Sequence, residues 1–126
     1  MPAGMREWLD LLEARTKRFA VDSIRFAREL EDGRLVPRGV IWQFVACATS
    51  VGANHRASRQ ARSDRELAAK LGLVVEEADE AVFWLELIGE TATRCPSAQP
   101  ELLKEAVELR AIFSKGLSTT RRRLDV

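Results

Sequence analysis

The sequence is poor in the residues that build β-sheets and their turns. It contains no tyrosine, and its 126 residues include four prolines and seven glycines. Valine and isoleucine do not collect into short alternating runs, which disfavours a sheet. With 46% hydrophobic and 31% charged residues, the chain has the composition of one globular domain with its own core. These absences favour a single all-α domain.

Cysteine and histidine, which often bind metals or act in catalysis, are also scarce. Cys47 and Cys95 lie far apart without the spacing of a metal site or a disulfide framework, so free thiols in a reducing cytosol are expected. Helical bundles can hold two metal ions through Glu-x-x-His pairs on facing helices. His55, however, is the one histidine of the chain, and no glutamate stands three positions before it. We therefore expect no enzyme, no metal and no cofactor.

Long hydrophobic runs are missing as well. The beginning of the chain carries Arg6, Glu7, Asp10 and Glu13, where a secretory segment would need an unbroken apolar run. No later stretch is long and apolar enough to span a bilayer. The expectation is a cytoplasmic protein without a membrane partner.

What is present is a helical periodicity. Apolar residues recur in steps of three and four, and this spacing predicts helices at about 5–32, 38–61, 64–90 and 99–121. The third helix has the strictest seam: Leu67, Leu71, Val74, Ala78, Ala81, Leu85 and Ile88. Such a repeat favours nearly parallel or antiparallel helices over steep crossings. The predicted architecture is an up-down-up-down antiparallel four-helix bundle.

Local signals mark the helix ends. Gly33 is a predicted stop for the first helix, and Pro37 a tolerated first-turn residue for the second. Ser63 to Glu66 reads as a capping box, in which the Ser63 hydroxyl accepts from the Glu66 N–H and the Glu66 side chain reaches back to the Ser63 N–H. Gly52, among other small residues of the second helix, predicts close approach of another backbone.

The formal net charge of +1 hides a segregated pattern. Residues 33–62 hold five basic and no acidic residues, and residues 63–90 hold two basic and eight acidic ones. In an up-down bundle the basic end of helix two and the basic end of helix four meet at the same pole. The resulting candidate surface for RNA or DNA phosphates comprises Arg56, Arg59, Arg62, Lys115, Arg121, Arg122 and Arg123. A solvated face partly neutralised by Asp64 and Glu66 is the alternative.

Two further sets of residues are candidates for structural roles. A polar network that fixes the register between helices or subunits is predicted among Asn54, Arg56, Glu76, Glu77 and Glu80. The tryptophans Trp8, Trp42 and Trp84 fall at outer or flanking helix positions. Such rings are enriched at protein interfaces, although core packing is an equal alternative for each. Surplus apolar surface on helix three favours self-association.

The segments RTKRFAVDSI at 15–24, SVGANHRA at 50–57, S-x-x-E at 63–66 and KLGLVVEEADEAVFWLEL at 70–87 resemble a bacterial four-helix-bundle family. That family includes proteins encoded by intervening sequences in 23S ribosomal RNA genes, and the accessory proteins of diversity-generating retroelements are similar. The resemblance implies a ring-like homopentamer without established enzymatic activity. In the retroelement branch, the basic ring partners a reverse transcriptase and nucleic acid.

The chain departs from that pattern at two positions. Many relatives carry tyrosine where this chain has His55 and glutamate where it has Ala57, so a polar network built there is altered. The net charge is also lower than in the strongly basic retroelement proteins. We expect a non-enzymatic homopentameric adaptor that contacts RNA, DNA or a nucleoprotein. The alternatives are a protein-binding scaffold without nucleic-acid affinity and, weakest, a metal-dependent enzyme.

Overall fold

The computed structural model describes residues 2–125 and contains four helices in an up-down-up-down arrangement. They are α1 (Ala3–Asp32), α2 (Arg38–Ser58), α3 (Asp64–Thr91) and α4 (Gln99–Leu124), and no strand occurs among the described residues. The predicted all-α class and four-helix bundle are confirmed. Nowhere in residues 2–125 is a helix long and apolar enough to cross a membrane.

The four helices share one core. Each helix packs along its length against the next in sequence, whereas α1 and α4 make the thinnest contact. The largest side chains that are removed from solvent are Phe26, Phe44, Leu30, Leu85, Ile88 and Leu109. The rings of Phe26 and Phe44 meet edge to face with centroids 5.9 Å apart. Because α1 and α4 close the bundle incompletely, their seam is where solvent can enter.

The end of α2 differs from the prediction. The helix stops at Ser58, three residues early, because the backbone tightens there. The N–H groups of Gln60 and Ala61 donate to the carbonyls of Ala57 and Ser58, each at 3.1 Å, which is the shorter i to i+3 pattern. At the other terminus, α4 continues to Leu124, beyond the predicted position 121.

The predicted cap of α3 is half right. The Ser63 hydroxyl accepts from the Glu66 N–H at 3.1 Å, as expected. The Glu66 carboxylate, however, accepts from the N–H of Arg62 at 3.3 Å rather than from Ser63. The side chain therefore satisfies a donor of the preceding turn and ties that turn to the first turn of α3.

Arg34, rather than glycine, takes the left-handed conformation that ends α1. Gly33 is the C-cap, but its φ is −84°, whereas Arg34 has φ 51°. The Leu35 N–H donates to the Leu30 carbonyl at 2.9 Å, and the Arg34 N–H donates to the Glu31 carbonyl at 3.1 Å. These two bonds form a Schellman motif, in which the left-handed position usually belongs to glycine.

The two ends of the bundle are distinct. The Ser63 end contains the start of α1, the turn between α2 and α3, and the end of α4. The Pro37 end contains the α1–α2 and α3–α4 connections, which are joined by a hydrogen bond from the Thr93 N–H to the Leu35 carbonyl at 3.2 Å. This topology brings the predicted basic segments of α2 and α4 to the Ser63 end.

Candidate functional site: an apolar cleft with a basic rim

The seam between α1 and α4 is held by a charged clasp at its middle. The Arg15 guanidinium donates to both carboxylate oxygens of Glu105 at 2.7 Å and to Glu108 at 2.6 Å. The hydrogen bonding to Glu105 is the main reason that the pKa of Arg15 is raised above its usual value. On either side of this clasp the two helices separate, and each gap is a cleft.

The larger cleft lies at the Ser63 end and has a volume of about 1080 Å³. Its walls are mainly apolar and include Trp8, Leu12, Leu71, Ile112 and Phe113. It stays open partly because α4 presents Gly116 to it. A Cβ built on Gly116 would meet nothing nearer than the Leu71 Cδ1 at 4.0 Å. The cleft is therefore a space of ligand-binding size that the packing of one chain does not fill.

His55 forms part of the cleft surface and is 1% exposed. Its ring stands 5.1 Å from that of Phe113, centroid to centroid. Within residues 2–125, neither Nδ1 nor Nε2 makes a hydrogen bond of normal geometry, although the Leu9 backbone lies nearby. Burial is the main reason that the pKa of His55 is lowered; the Leu9 backbone and Glu13 oppose the shift, and the charge of Arg59 adds to it. A neutral imidazole offers one N–H donor and one acceptor nitrogen.

The other polar groups near His55 are already paired. The Ser58 hydroxyl donates to the His55 carbonyl at 2.6 Å, and the Thr120 hydroxyl donates to the Gly116 carbonyl at 2.9 Å. Both bonds are local to a helix turn, so neither hydroxyl is available to donate to the imidazole. Within residues 2–125, His55 is thus a buried side chain without a hydrogen bond of normal geometry in a mainly apolar surface, an arrangement that is uncommon for buried polar side chains.

The rim of the cleft is basic. Arg59, Arg62, Lys115 and Arg123 all line it, so the structure brings residues from both predicted basic clusters together. Arg59 is 19% exposed and pairs with Asp10 at 2.9 Å and with Glu13 at 3.2 Å. The hydrogen bond with Asp10 is the main cause of its raised pKa. Arg59 therefore joins α2 to α1 and contributes little free charge.

Arg123 is also engaged, through two contacts of 3.2 Å with the Asp64 carboxylate. This pair joins the last turn of α4 to the first turn of α3 and raises the pKa of Arg123. The remaining predicted basic residues have exposed side chains that make no ion pair within residues 2–125: Arg56, Arg62, Lys115, Arg121 and Arg122. Of these, Arg62 and Lys115 lie on the cleft itself.

The predicted register network does not form within the chain. On α2, the charges of Glu80 and Glu77 act on Cys47, and Arg56 lies about two and a half turns further toward the Ser63 end. No ion pair or side-chain hydrogen bond in the described chain involves the five residues of that network. Partial burial, followed by repulsion from Glu80 and Glu76, raises the pKa of Glu77. A network between subunits stays a prediction.

The three tryptophans occupy different environments. Trp42 is 68% exposed and Trp8 is 46% exposed. Trp84 is half-buried against the core and meets the Phe83 ring edge to face with centroids 5.0 Å apart. Its Nε1 is buried and has no hydrogen-bond partner in the part of the chain that the structure describes. Trp8 and Trp42 therefore present free apolar surface, whereas Trp84 belongs mainly to the packed chain.

The second cleft, of about 520 Å³, lies between the clasp and the Pro37 end and is lined largely by charged side chains of α1 and α4. Within residues 2–125, no group of three or more His, Cys, Asp or Glu side chains is placed to hold a metal ion.

The sequence singles out His55 as the one histidine of the chain, but it does not reveal the cleft around that residue. The available signal was the small-residue segment of α4 that contains Gly116 and Thr120, opposite the apolar start of α1. Periodicity assigns residues to a face, but it does not reveal how far two helices separate. The gap follows from packing across all four helices.

The fold has a solved counterpart. A protein of unknown function from the S23 ribosomal protein family of Bacteroides thetaiotaomicron VPI-5482 superposes with a TM-score of 0.76 and 24% sequence identity. The match covers 87% of this chain and 97% of that chain. At this identity the similarity establishes the shared fold. No protein-family profile and no curated protein matches the sequence.

Proposed function

We propose that the protein is a non-enzymatic, homo-oligomeric adaptor that contacts RNA or DNA phosphates through the Ser63 end. The observation that carries this proposal is a set of cations that make no ion pair within the described part of the chain: Arg62 and Lys115 on the cleft, with Arg121 and Arg122 on the last turns of α4. Cations without an intramolecular carboxylate are free to replace the counterions of a phosphate backbone.

Self-association of the chain would strengthen the proposed phosphate contact. A ring, which the family resemblance implies to be a pentamer, would repeat the cationic end once per subunit. Electrostatic attraction to a polyanion grows with each neutralised phosphate, so a modest patch on one chain becomes a substantial one on the ring. The exposed Trp42 ring supports an oligomer, because large aromatic side chains are enriched at protein interfaces.

Fluorescence anisotropy over a salt series tests the phosphate contact. Labelled structured RNA and labelled duplex DNA are titrated with protein whose oligomer mass has been measured by light scattering. We expect the logarithm of the affinity to fall linearly with the logarithm of salt concentration, with a slope of several counterions. Absence of binding at low salt would exclude the proposed phosphate contact.

A matched pair of variants distinguishes the effect of the Ser63 end on binding from the effect of net charge. Arg121→Gln/Arg122→Gln removes two cations from the Ser63 end, and Arg28→Gln/Arg94→Gln removes two exposed cations from the Pro37 half of the molecule. The first variant should reduce the salt slope by about two counterions for each subunit that contacts the nucleic acid, while the second keeps the slope of the unmodified protein. Equal losses in both variants would mean that binding is diffuse rather than centred on the Ser63 end.

A protein-binding scaffold without nucleic-acid affinity is the second candidate. It is favoured by the 68% exposure of Trp42 and the 54% exposure of Phe83, which leave apolar surface outside the core. Trp42→Gln should dissociate the oligomer or weaken it under the adaptor and scaffold proposals alike. Absence of nucleic-acid binding by the intact oligomer at low salt would favour the scaffold, which has no such binding for Arg121→Gln/Arg122→Gln to weaken.

A further inference from the structure

We propose that the cleft at the Ser63 end binds a small amphipathic organic acid. Its carboxylate would lie at the rim beside Arg62 and Lys115, its apolar body against the walls, and a hydroxyl or carbonyl group against His55. This inference does not depend on nucleic-acid binding.

The hydroxyl or carbonyl group of such a ligand is indicated by His55. The imidazole is 99% buried, since its exposure is 1%, and within residues 2–125 neither ring nitrogen makes a hydrogen bond of normal geometry, the nearby Leu9 backbone included. A buried polar group without a hydrogen bond costs on the order of 1–3 kcal/mol. Its neighbours Ser58 and Thr120 already donate elsewhere. A ligand hydroxyl or carbonyl would supply the missing hydrogen bond.

The charge of the ligand is indicated by the rim. Among residues 2–125, Asp64 is the one acidic residue that lines the cleft, and its carboxylate is held by Arg123. Arg59 is likewise neutralised, by Asp10 and Glu13. Arg62 and Lys115 are left with exposed cationic groups that face the same opening from two sides. An anion complements them, whereas a cationic ligand would be repelled.

The body of the ligand is indicated by the walls. Trp8, Leu12, Leu71, Ile112 and Phe113 line the passage between rim and imidazole. Sites for small molecules are typically apolar, with a few polar groups that fix orientation. A volume of about 1080 Å³ admits a medium-chain acid with room for solvent at the rim.

Isothermal titration calorimetry with three compounds of equal chain length tests the assignment. The compounds are ω-hydroxydecanoate, decanoate and decanol, each used below its aggregation concentration. We expect ω-hydroxydecanoate to bind about fivefold more tightly than decanoate, which is the effect of one net hydrogen bond, and decanol to bind more weakly than either acid. No detectable binding, or equal affinities for all three, would overturn the proposal. A cleft closed by a second copy of the chain would produce the first of these results.

Variants assign each contact. His55→Phe should make ω-hydroxydecanoate and decanoate equal in affinity, while leaving RNA anisotropy unchanged. Arg62→Gln/Lys115→Gln should reduce both acids to the level of decanol, whereas Arg28→Gln/Arg94→Gln should change nothing. Persistence of the hydroxyl preference in His55→Phe would contradict the role of the imidazole.

Nitrogen-15 NMR of the unmodified protein gives an answer even if His55→Phe fails to fold. Because His55 is the one histidine in the chain, its ring nitrogen signals need no further assignment. ω-Hydroxydecanoate should shift these signals more than decanoate does. Identical shifts with the two acids would overturn the proposed hydrogen bond.

Discussion

Gly52 on α2 lies against the backbone of Thr16 on α1. A Cβ added to Gly52 would come within 3.3 Å of the Thr16 carbonyl oxygen and 3.4 Å of its carbonyl carbon. A contact with backbone cannot be relieved by a side-chain rotation, so one of the two helices would have to move. The small residue is therefore part of the α1–α2 interface, in agreement with the close approach predicted from the sequence.

Gly52→Ala should lack the stabilisation that the same change brings elsewhere. Alanine in place of a helical glycine favours folding by up to about 1 kcal/mol, but at Gly52 crowding against Thr16 opposes this gain. Gly72 in α3 is the matched control, because a Cβ there would meet nothing within 4 Å. Urea unfolding should show Gly72→Ala stabilised and Gly52→Ala unchanged or destabilised. Equal stabilisation by both changes would contradict the close contact.

Arg34→Gly should stabilise the protein. Arg34 holds a left-handed φ of 51°, which costs a residue with a Cβ about 1 kcal/mol relative to glycine. The exposed Arg34 side chain makes no ion pair in the described chain, so little is lost with it. We expect the unfolding free energy to rise by about 0.5–1 kcal/mol. Arg28→Gly, within the exposed face of α1, is the control and should lower that free energy by a similar amount.

The parts of the fold that could be predicted are those determined by residues close together in sequence, such as the apolar spacing along one helix. The seam of α3 was predicted because its strict spacing directly records which residues face the core, and from Leu71 to Ile88 that seam is buried. The early end of α2 was missed because Gln60 and Ala61 carry no glycine or proline signal. Their tight turn is joined to α3 by Glu66, which bonds the Arg62 N–H.

The candidate site was predicted only in part, because it depends on contacts between distant helices. Chain direction alone brings Arg62 and Lys115 to one end of the bundle. Chain direction does not show which of the cations at that end have a carboxylate partner. Arg59, for example, is neutralised by Asp10 and Glu13 across the α1–α2 interface. The pairing of Arg123 with Asp64 likewise depends on the actual path of α4.

The two cysteines should differ sharply in reactivity. Burial, reinforced by the nearby Glu80 and Glu77 charges, raises the pKa of Cys47 to about 12, whereas the Cys95 side chain is exposed. Because the thiolate is the reactive form, native protein at pH 8 should release one equivalent of thiolate from Ellman's reagent promptly and the second only on unfolding. Cys95→Ser is the control, and prompt reaction of that variant would contradict the protection of Cys47.

His55 should make the fold less stable in mild acid. Its folded pKa lies below the unfolded value of 6.5, so the unfolded chain takes up the proton first as pH falls. The unfolding free energy should therefore decrease below about pH 6.5, by at most about 1.4 kcal/mol per pH unit, and the histidine contribution should be constant above it. His55→Phe should remove this contribution. The measurement is the difference between the two proteins in urea unfolding from pH 7.5 to 5, and a constant difference would contradict the lowered pKa.

The Arg15 clasp should stabilise the seam through its geometry as well as its charge. Its guanidinium engages both oxygens of Glu105 and reaches Glu108, an arrangement that a lysine ammonium cannot reproduce. Because the side chains are partly exposed, we expect Arg15→Gln to lower the unfolding free energy by about 1 kcal/mol and Arg15→Lys to recover less than half of it. Arg28→Gln, an exposed change on the same helix, should cost less than about 0.5 kcal/mol. The loss in Arg15→Gln should shrink at high salt, and full recovery by lysine would show that charge alone holds α1 to α4.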